Sequence, residues 1–326
     1  MALRDFLRYI YLKAFVTILR IIVMASGRRR RIEALMPRDP RVIRQSVKIP
    51  SRDKGRYIKA DIYRPATPPS QEGGEEEEPL LPVLVNWHGS GFIMPLFGAD
   101  APFCARVARE VGIAVLDADY RKAPETPFPG PVNDVEDVLL WVASQKQKQR
   151  FDATRVAVSG FSAGGNLAIV AATKLRKELA GVIDILAVLS FYPLINLAAP
   201  PETKQVAAPI NPFPAWQLRL FNECYAPDES IRTDPAVSPY FADAADFPRT
   251  VALATCSGDV LGPETEELGE RLRRENADGR KVSRLVCEGV RHGFNSGVIA
   301  DGSFEDVRRE ELYTFATGVL KGVFKS

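Results

Sequence analysis

Hydrophobic and polar positions follow two rhythms along this chain. Two short runs, Val42 to Ile49 and Tyr57 to Tyr63, flank the polar stretch Ser51-Arg52-Asp53-Lys54-Gly55-Arg56 and read as a β-hairpin. From Leu81 onward, short apolar β-branched runs alternate with longer stretches of helical period. Strands are expected at 83–87, 113–116, 155–159, 185–191, 251–256 and 283–287, and helices at 102–111, 132–147, 163–179, 264–276 and 304–324. Continuously apolar strands joined by helices predict a mostly parallel sheet covered on both faces, with a functional site at the strands' carboxyl ends. Two segments break the rhythm. Ala66 to Pro79, with its prolines, glycines and Glu75–Glu78 run, reads as a solvated loop. Leu197 to Tyr225 carries five prolines and then an aromatic stretch from Trp216, which reads as a lid inserted at the functional end.

The amino terminus has a different pattern. Leu3 to Met24 is mostly apolar but contains Arg4, Asp5, Arg8, Lys13 and Arg20, and Arg28–Arg31 follow it. Five charges argue against a transmembrane span. On a helical wheel Leu3, Phe6, Leu7, Ile10, Ala14, Ile18 and Ile21 share one face, opposite Arg4, Asp5 and Arg8. Three roles stand open: peripheral contact of residues 1–31 with an anionic membrane, a helix covering the protein's own cleft, and a signal segment whose apolar stretch Arg20 interrupts.

Composition narrows the class. With 326 residues, 46% of them hydrophobic, and a formal charge of +2, the chain is neither disordered, nor a disulfide scaffold, nor a polybasic nucleic-acid binder. The near-neutral total conceals an asymmetry, because Met1 to Arg44 holds eleven basic residues against three acidic. Cys104, Cys224, Cys256 and Cys287 are widely separated, and no glycosylation sequon occurs, so reduced thiols in an intracellular protein are the default, cytoplasmic or peripherally membrane-associated. Two histidines and the absence of GxGxxG leave no expectation of a metal or dinucleotide cofactor.

The candidate chemistry lies at Gly160-Phe161-Ser162-Ala163-Gly164, between an expected strand and an expected helix. GxSxG alone is a weak signal, and a glycine-rich turn packing helix on strand is its plain alternative. In this context it matches a nucleophile elbow, where small neighbours accommodate a strained turn that lifts the serine hydroxyl. A serine needs a base, and only His88 and His292 are available. The chain order serine, acid, histidine selects His292. Asp259, after the strand at 251–256, is the candidate acid, with Glu264 as the alternative carboxylate and a helix N-cap as the alternative role for Asp259. Backbone N–H groups for an oxyanion are expected from Ala163 and from the side-chain-poor loop His88-Gly89-Ser90-Gly91-Phe92.

Taken together, His88 to Phe92, Asp119-Tyr120-Arg121-Lys122-Ala123-Pro124-Glu125, Gly160 to Gly165, Asp234-Pro235 with Ser238-Pro239, Asp259 with Leu261 and Glu264, and His292-Gly293-Phe294 resemble the hormone-sensitive-lipase-type branch of the α/β-hydrolases. This is the α/β-hydrolase fold-3 group of esterases and arylacetamide-deacetylase-like enzymes. The resemblance runs from about Leu81 to Phe294. It implies an α/β-hydrolase fold with an α-helical cap, a triad of Ser162, Asp259 and His292, and an oxyanion hole from the N–H groups of Ser90, Gly91 and Ala163. It also implies bracing roles for Tyr120, Arg121 and Glu125, and a cap built from residues 1–36 and 197–225. A terminal helix region at 1–40 and a catalytic domain at 41–326 follow. The implied activity is hydrolysis of a small to medium, partly apolar carboxylic ester, with a lactone, thioester or amide substrate, or ligand binding without catalysis, as alternatives. Phe161, Phe92, Phe213 and Trp216 are the expected substrate-facing side chains, and a homodimer is one expected assembly. Three features depart from the family pattern: Ser90 for a glycine, Phe161 for Asp or Thr, and the pair Gly262-Pro263 for a more polar pair. If Ser90 needed a positive φ, the strain would be about 1 kcal/mol.

Overall fold

A computed structural model describes residues 3–25, 39–66, 79–276 and 279–325. The Arg28–Arg31 run and the Glu75–Glu78 run lie outside the described residues. Eight strands form one sheet: β1 (Val42–Pro50), β2 (Tyr57–Pro65), β3 (Leu81–Trp87), β4 (Ala114–Ala118), β5 (Phe151–Phe161), β6 (Ile185–Phe191), β7 (Thr250–Cys256) and β8 (Lys281–Cys287). Their order is β1-β2-β4-β3-β5-β6-β7-β8, with β1 and β2 antiparallel and every pairing from β4 through β3 to β8 parallel. The expected hairpin is therefore present, as is the parallel sheet, whose central strands are buried on both faces.

Seven α-helices of eight or more residues accompany the sheet among the described residues: α1 (Leu3–Ala25), α2 (Ala101–Val111), α3 (Gly130–Ser144), α4 (Ala163–Val170), α5 (Ala215–Tyr225), α6 (Gly262–Arg274) and α7 (Phe304–Phe324). A π-helical turn, Ala171–Leu175, extends α4. Two apolar cores result. Residues of α3, α4 and α6 fill one face, and those of α2 and α7 the other. The chain reverses its progress across the sheet between β3 and β5, neighbours in space, so a crevice opens at their carboxyl ends.

The insertion at 197–225 folds over this end. It contains a short 3-10 turn (Pro201–Thr203) and α5, whose Leu218 and Phe221 are buried. The Lys204 ammonium ties the insertion to the body through Glu264 and, at 2.9 Å, through the carbonyl of Asn196.

The helix α1 lies beside the insertion, with the apolar face picked out on the helical wheel turned away from the body. Leu12 and Val16 are buried, and Leu19 packs against the core. The Leu3, Leu7, Ile10, Ile18, Ile21 face points outward. Arg20, interior to the helix, anchors it. Its guanidinium donates to the carbonyls of Ile93 (2.8 Å) and Ala123 (2.7 Å) and pairs with Glu125 at 2.9 Å. Among the described residues no helix is long and apolar enough to cross a membrane.

Candidate active site

Ser162 sits between the last residue of β5 and the first of α4, with φ 53° and ψ −119°. A non-glycine residue in this region is strained, and the surroundings must hold it there. They do so through tight packing: a Cβ on Gly164 would lie 1.9 Å from the carbonyl oxygen of Trp87, so only glycine lets α4 start this close to β3. The turn presents the serine hydroxyl above the sheet.

Two loops bring the partners. The segment after β7 carries Asp259 and the segment after β8 carries His292, and they are stitched together by Ser257 N–H to Cys287 O and Gly258 N–H to Val290 O, both 3.1 Å. His292 Nε2 is 2.8 Å from Ser162 Oγ, and His292 Nδ1 is 2.6 Å from Asp259 Oδ2. A carboxylate only accepts, so the Nδ1–H tautomer faces Asp259 and leaves Nε2 to accept from the serine hydroxyl. Asp259 is 1% exposed, and its other oxygen accepts the Leu261 N–H at 3.1 Å. Glu264 instead pairs with Lys204. The proline in the first turn of α6, one of the departures from the family pattern, suits a helix start.

The loop after β3 lies against the nucleophile. Gly91 has φ 55°, and a Cβ there would meet the Phe221 ring at 2.8 Å. Ser90 is not among the residues with positive φ, so the conditional strain does not arise. Its hydroxyl donates to Tyr120 Oη at 2.6 Å, and Tyr120 Oη donates to the His88 carbonyl at 2.8 Å. The serine thus adds a brace to the loop. The N–H groups of Ser90 and Gly91 belong to this cavity-lining loop, and Ala163 contributes the first N–H of α4, where the helix dipole favours negative charge.

His88 is fully buried, 3.2 Å from Asp119 and stacked on Tyr120. Burial, followed by the Lys122 charge, lowers its pKa. Burial alone would raise the Asp119 carboxyl, but Lys122 at 2.7 Å and His88 outweigh it and hold it well below the usual carboxylate range. Arg121 pairs with Asp134 of α3 at 2.9 Å and Glu125 with Arg20 of α1, so of the residues expected to brace the loop only Tyr120 bonds to it directly.

Ser162 and His292 open onto a cavity of about 270 Å³. Its walls include Leu19 and Val23 of α1, Met94, Phe161, Phe213 and Phe221, with Asp100, Tyr192 and Gln217 as polar elements. The Phe161 ring packs between Phe103 and Phe191 at the cavity's edge. Phe213 meets the His292 ring at a centroid distance of 4.8 Å. Two expected substrate contacts are not among the lining residues. Phe92 is buried in the core, stacked on Tyr225 with centroids 3.7 Å apart. Trp216 is 56% exposed and touches Phe15 of α1. Conversely, Tyr192 and Asp100 escaped the sequence reading. Tyr192 directly follows β6, a carboxyl-end position that marks it by topology, and its ring edges onto His292 at 4.8 Å. Asp100 starts α2 without capping it; its Oδ2 accepts from Asn86 at 3.0 Å, and burial raises its pKa.

A family model described as alpha/beta hydrolase fold matches residues 84–296. The chain belongs to the α/β-hydrolase fold-3 family. Among its curated relatives in that family, it is 31% identical over 237 residues to Esterase LipI of Mycobacterium tuberculosis, covering 72% of this chain and 69% of the relative. It is 27% identical over 244 residues to an ethyl acetate hydrolase of Pseudomonas putida, covering 74% and 72%. Among solved structures of α/β-hydrolases, the hyperthermophilic esterase of the archaeon Pyrobaculum calidifontis superimposes with a TM-score of 0.74 at 27% identity, over 94% of this chain and 93% of that one.

Proposed function

We propose that this protein is a serine hydrolase of small, partly apolar carboxylic esters. The observation that carries the reading is the hydrogen-bonded series from Ser162 Oγ through His292 to Asp259 at 2.8 and 2.6 Å, beside a loop rich in backbone N–H donors. Esterase relatives over most of the chain support the same reading. Ser162 attacks the ester carbonyl while His292 takes its proton. The N–H groups of Ala163, Gly91 and Ser90 receive the oxyanion, and Asp259 stabilises the imidazolium. Collapse expels the alcohol, protonated by His292, and leaves an acyl-enzyme. Water, deprotonated by His292, then releases the acid.

A cavity of about 270 Å³ lies at the small end for ligand pockets and suits short acyl or alcohol groups. Residues 41–326 serve as the catalytic domain and residues 1–40 as an accessory region, whose helix α1 both roofs the cavity and, in our reading, makes peripheral membrane contact rather than a homodimer interface. A fluorophosphonate probe should label the wild type, and Ser162→Ala should abolish both labelling and turnover of p-nitrophenyl butyrate. Labelling that survives in Ser162→Ala would overturn the assignment.

A further inference from the structure

The helix α1 is apolar on two opposite sides. Leu12 and Val16 are buried against the protein, whereas Leu3, Leu7, Ile10, Ile18, Ile21 and Ile22 are between 46% and 74% exposed. At 100° per residue those six positions form one stripe running the length of the helix, about 30 Å at the usual rise. A contiguous apolar surface of this extent is rare on a free monomer and marks a partner surface.

The neighbouring chemistry says which partner. Arg8 and Arg20 are paired with Glu223 and Glu125 on the inner side, while Arg4 and Lys13 border the stripe. Tyr11 and Trp216, each more than half exposed, add amphipathic rings of the kind that settle at a lipid headgroup region. A second copy of this chain would set the same cations near one another and, among the described residues, bring no acidic side chain on the stripe, whereas anionic headgroups supply the countercharge. The charges within the helix argue for lying in the interface plane rather than spanning.

We propose that the outer face of α1 seats in the headgroup and upper acyl region of an anionic bilayer, and that the enzyme acts on esters dissolved in that interface. Leu19 and Val23 of the same helix line the catalytic cavity, so α1 stands between lipid and Ser162. Delivery of substrate from the lipid rests on ester hydrolysis at Ser162; binding to the lipid does not.

The test uses the full chain in flotation with two kinds of vesicle, pure phosphatidylcholine and a mixture with roughly one-quarter phosphatidylserine. The wild type should float with the anionic vesicles, and raising the salt should weaken binding. The triple variant Ile10→Gln/Ile18→Gln/Ile21→Gln, altered only at exposed positions, should lose binding by about tenfold or more while hydrolysing a short water-soluble ester at the wild-type rate. Wild type that stays in the aqueous fraction, or a concentration-dependent dimer that dissolves in the triple variant without vesicle binding, would overturn the proposal. Wild type that binds vesicles yet hydrolyses no ester would count against the chemistry at Ser162 and leave the lipid face standing.

Discussion

Replacing Asp259 by Asn isolates the acid's contribution without changing its shape. The carboxylate is 1% exposed and makes two contacts, from His292 Nδ1 at 2.6 Å and from the Leu261 N–H at 3.1 Å. An amide cannot accept both. If its oxygen keeps Leu261, its NH₂ group meets Nδ1 and selects the tautomer protonated at Nε2, which faces the serine hydroxyl with a donor and cannot take its proton. If it flips, Nδ1 keeps its acceptor but two N–H groups oppose each other at Leu261, a buried mismatch of about 1–3 kcal/mol. In either orientation the imidazolium loses an ionic partner, for which a charge-assisted hydrogen bond is worth about 1.5–3 kcal/mol. Together these predict a fall in kcat of about 10²–10⁴-fold, with KM little changed.

The assay is initial-rate hydrolysis of p-nitrophenyl butyrate, normalised to folded protein by circular dichroism. Glu264→Gln is the matched control. Glu264 is engaged by Lys204 rather than by His292, so its loss should leave kcat within about threefold. A folded Asp259→Asn enzyme within tenfold of wild type, or an equal loss in Glu264→Gln, would refute the assignment of the acid.

Two further outcomes follow from contacts outside the proposed triad. Arg20→Met removes the bonds that hold α1 over the cavity, leaving the carbonyls of Ile93 and Ala123 and the Glu125 carboxylate without that donor. KM should rise severalfold with a smaller change in kcat, and hydrogen exchange in α1 should accelerate; unchanged exchange would show that the helix is held otherwise. Asp117→Asn tests the buried carboxyl pair in which Asn86 donates to both Asp100 and Asp117. Burial, and then the Asp100 charge, raises the Asp117 pKa in the native state. An acid raised on folding stabilises at low pH and loses that contribution as pH climbs above its unfolded value, by about 1.4 kcal/mol for each pH unit of the raised interval. The gain in Tm of Asp117→Asn over wild type should therefore be larger at pH 8 than at pH 5. Taking the difference between the two proteins removes the opposite trend expected from His88, whose lowered pKa favours the native state at higher pH.

Much of the fold was legible because parallel sheets write themselves plainly: strands buried on both faces must be continuously apolar, and the helices between them must carry a stripe. The candidate site was legible for a narrower reason. An elbow needs glycines at fixed offsets, and with only two histidines the chain order left one candidate base. What escaped depends on non-local packing. Nothing local to Phe92 says that it will stack on Tyr225, over a hundred positions away, instead of facing the cavity. Nothing local to Asp100 says that an acid at a helix start will forgo capping and turn toward Asn86.

The helix α1 shows the same limit in its sharpest form. Helical period identifies which residues share a face, and Leu3, Leu7, Ile10, Ile18 and Ile21 do share one; it does not say what the face meets. A cleft-covering helix and a membrane-surface helix are alternatives only for a helix with a single apolar stripe. The structure contains two, since Leu12, Val16, Leu19 and Val23 occupy the opposite side and take the covering role. Arg20 falls among the inner residues, where its guanidinium finds two carbonyls and a carboxylate, so the charge that seemed to interrupt an apolar segment is the anchor of the inner face. A helix that is apolar on both sides requires an apolar partner on each. This fold supplies one of them, and the cations bordering the other side favour an anionic surface as the second.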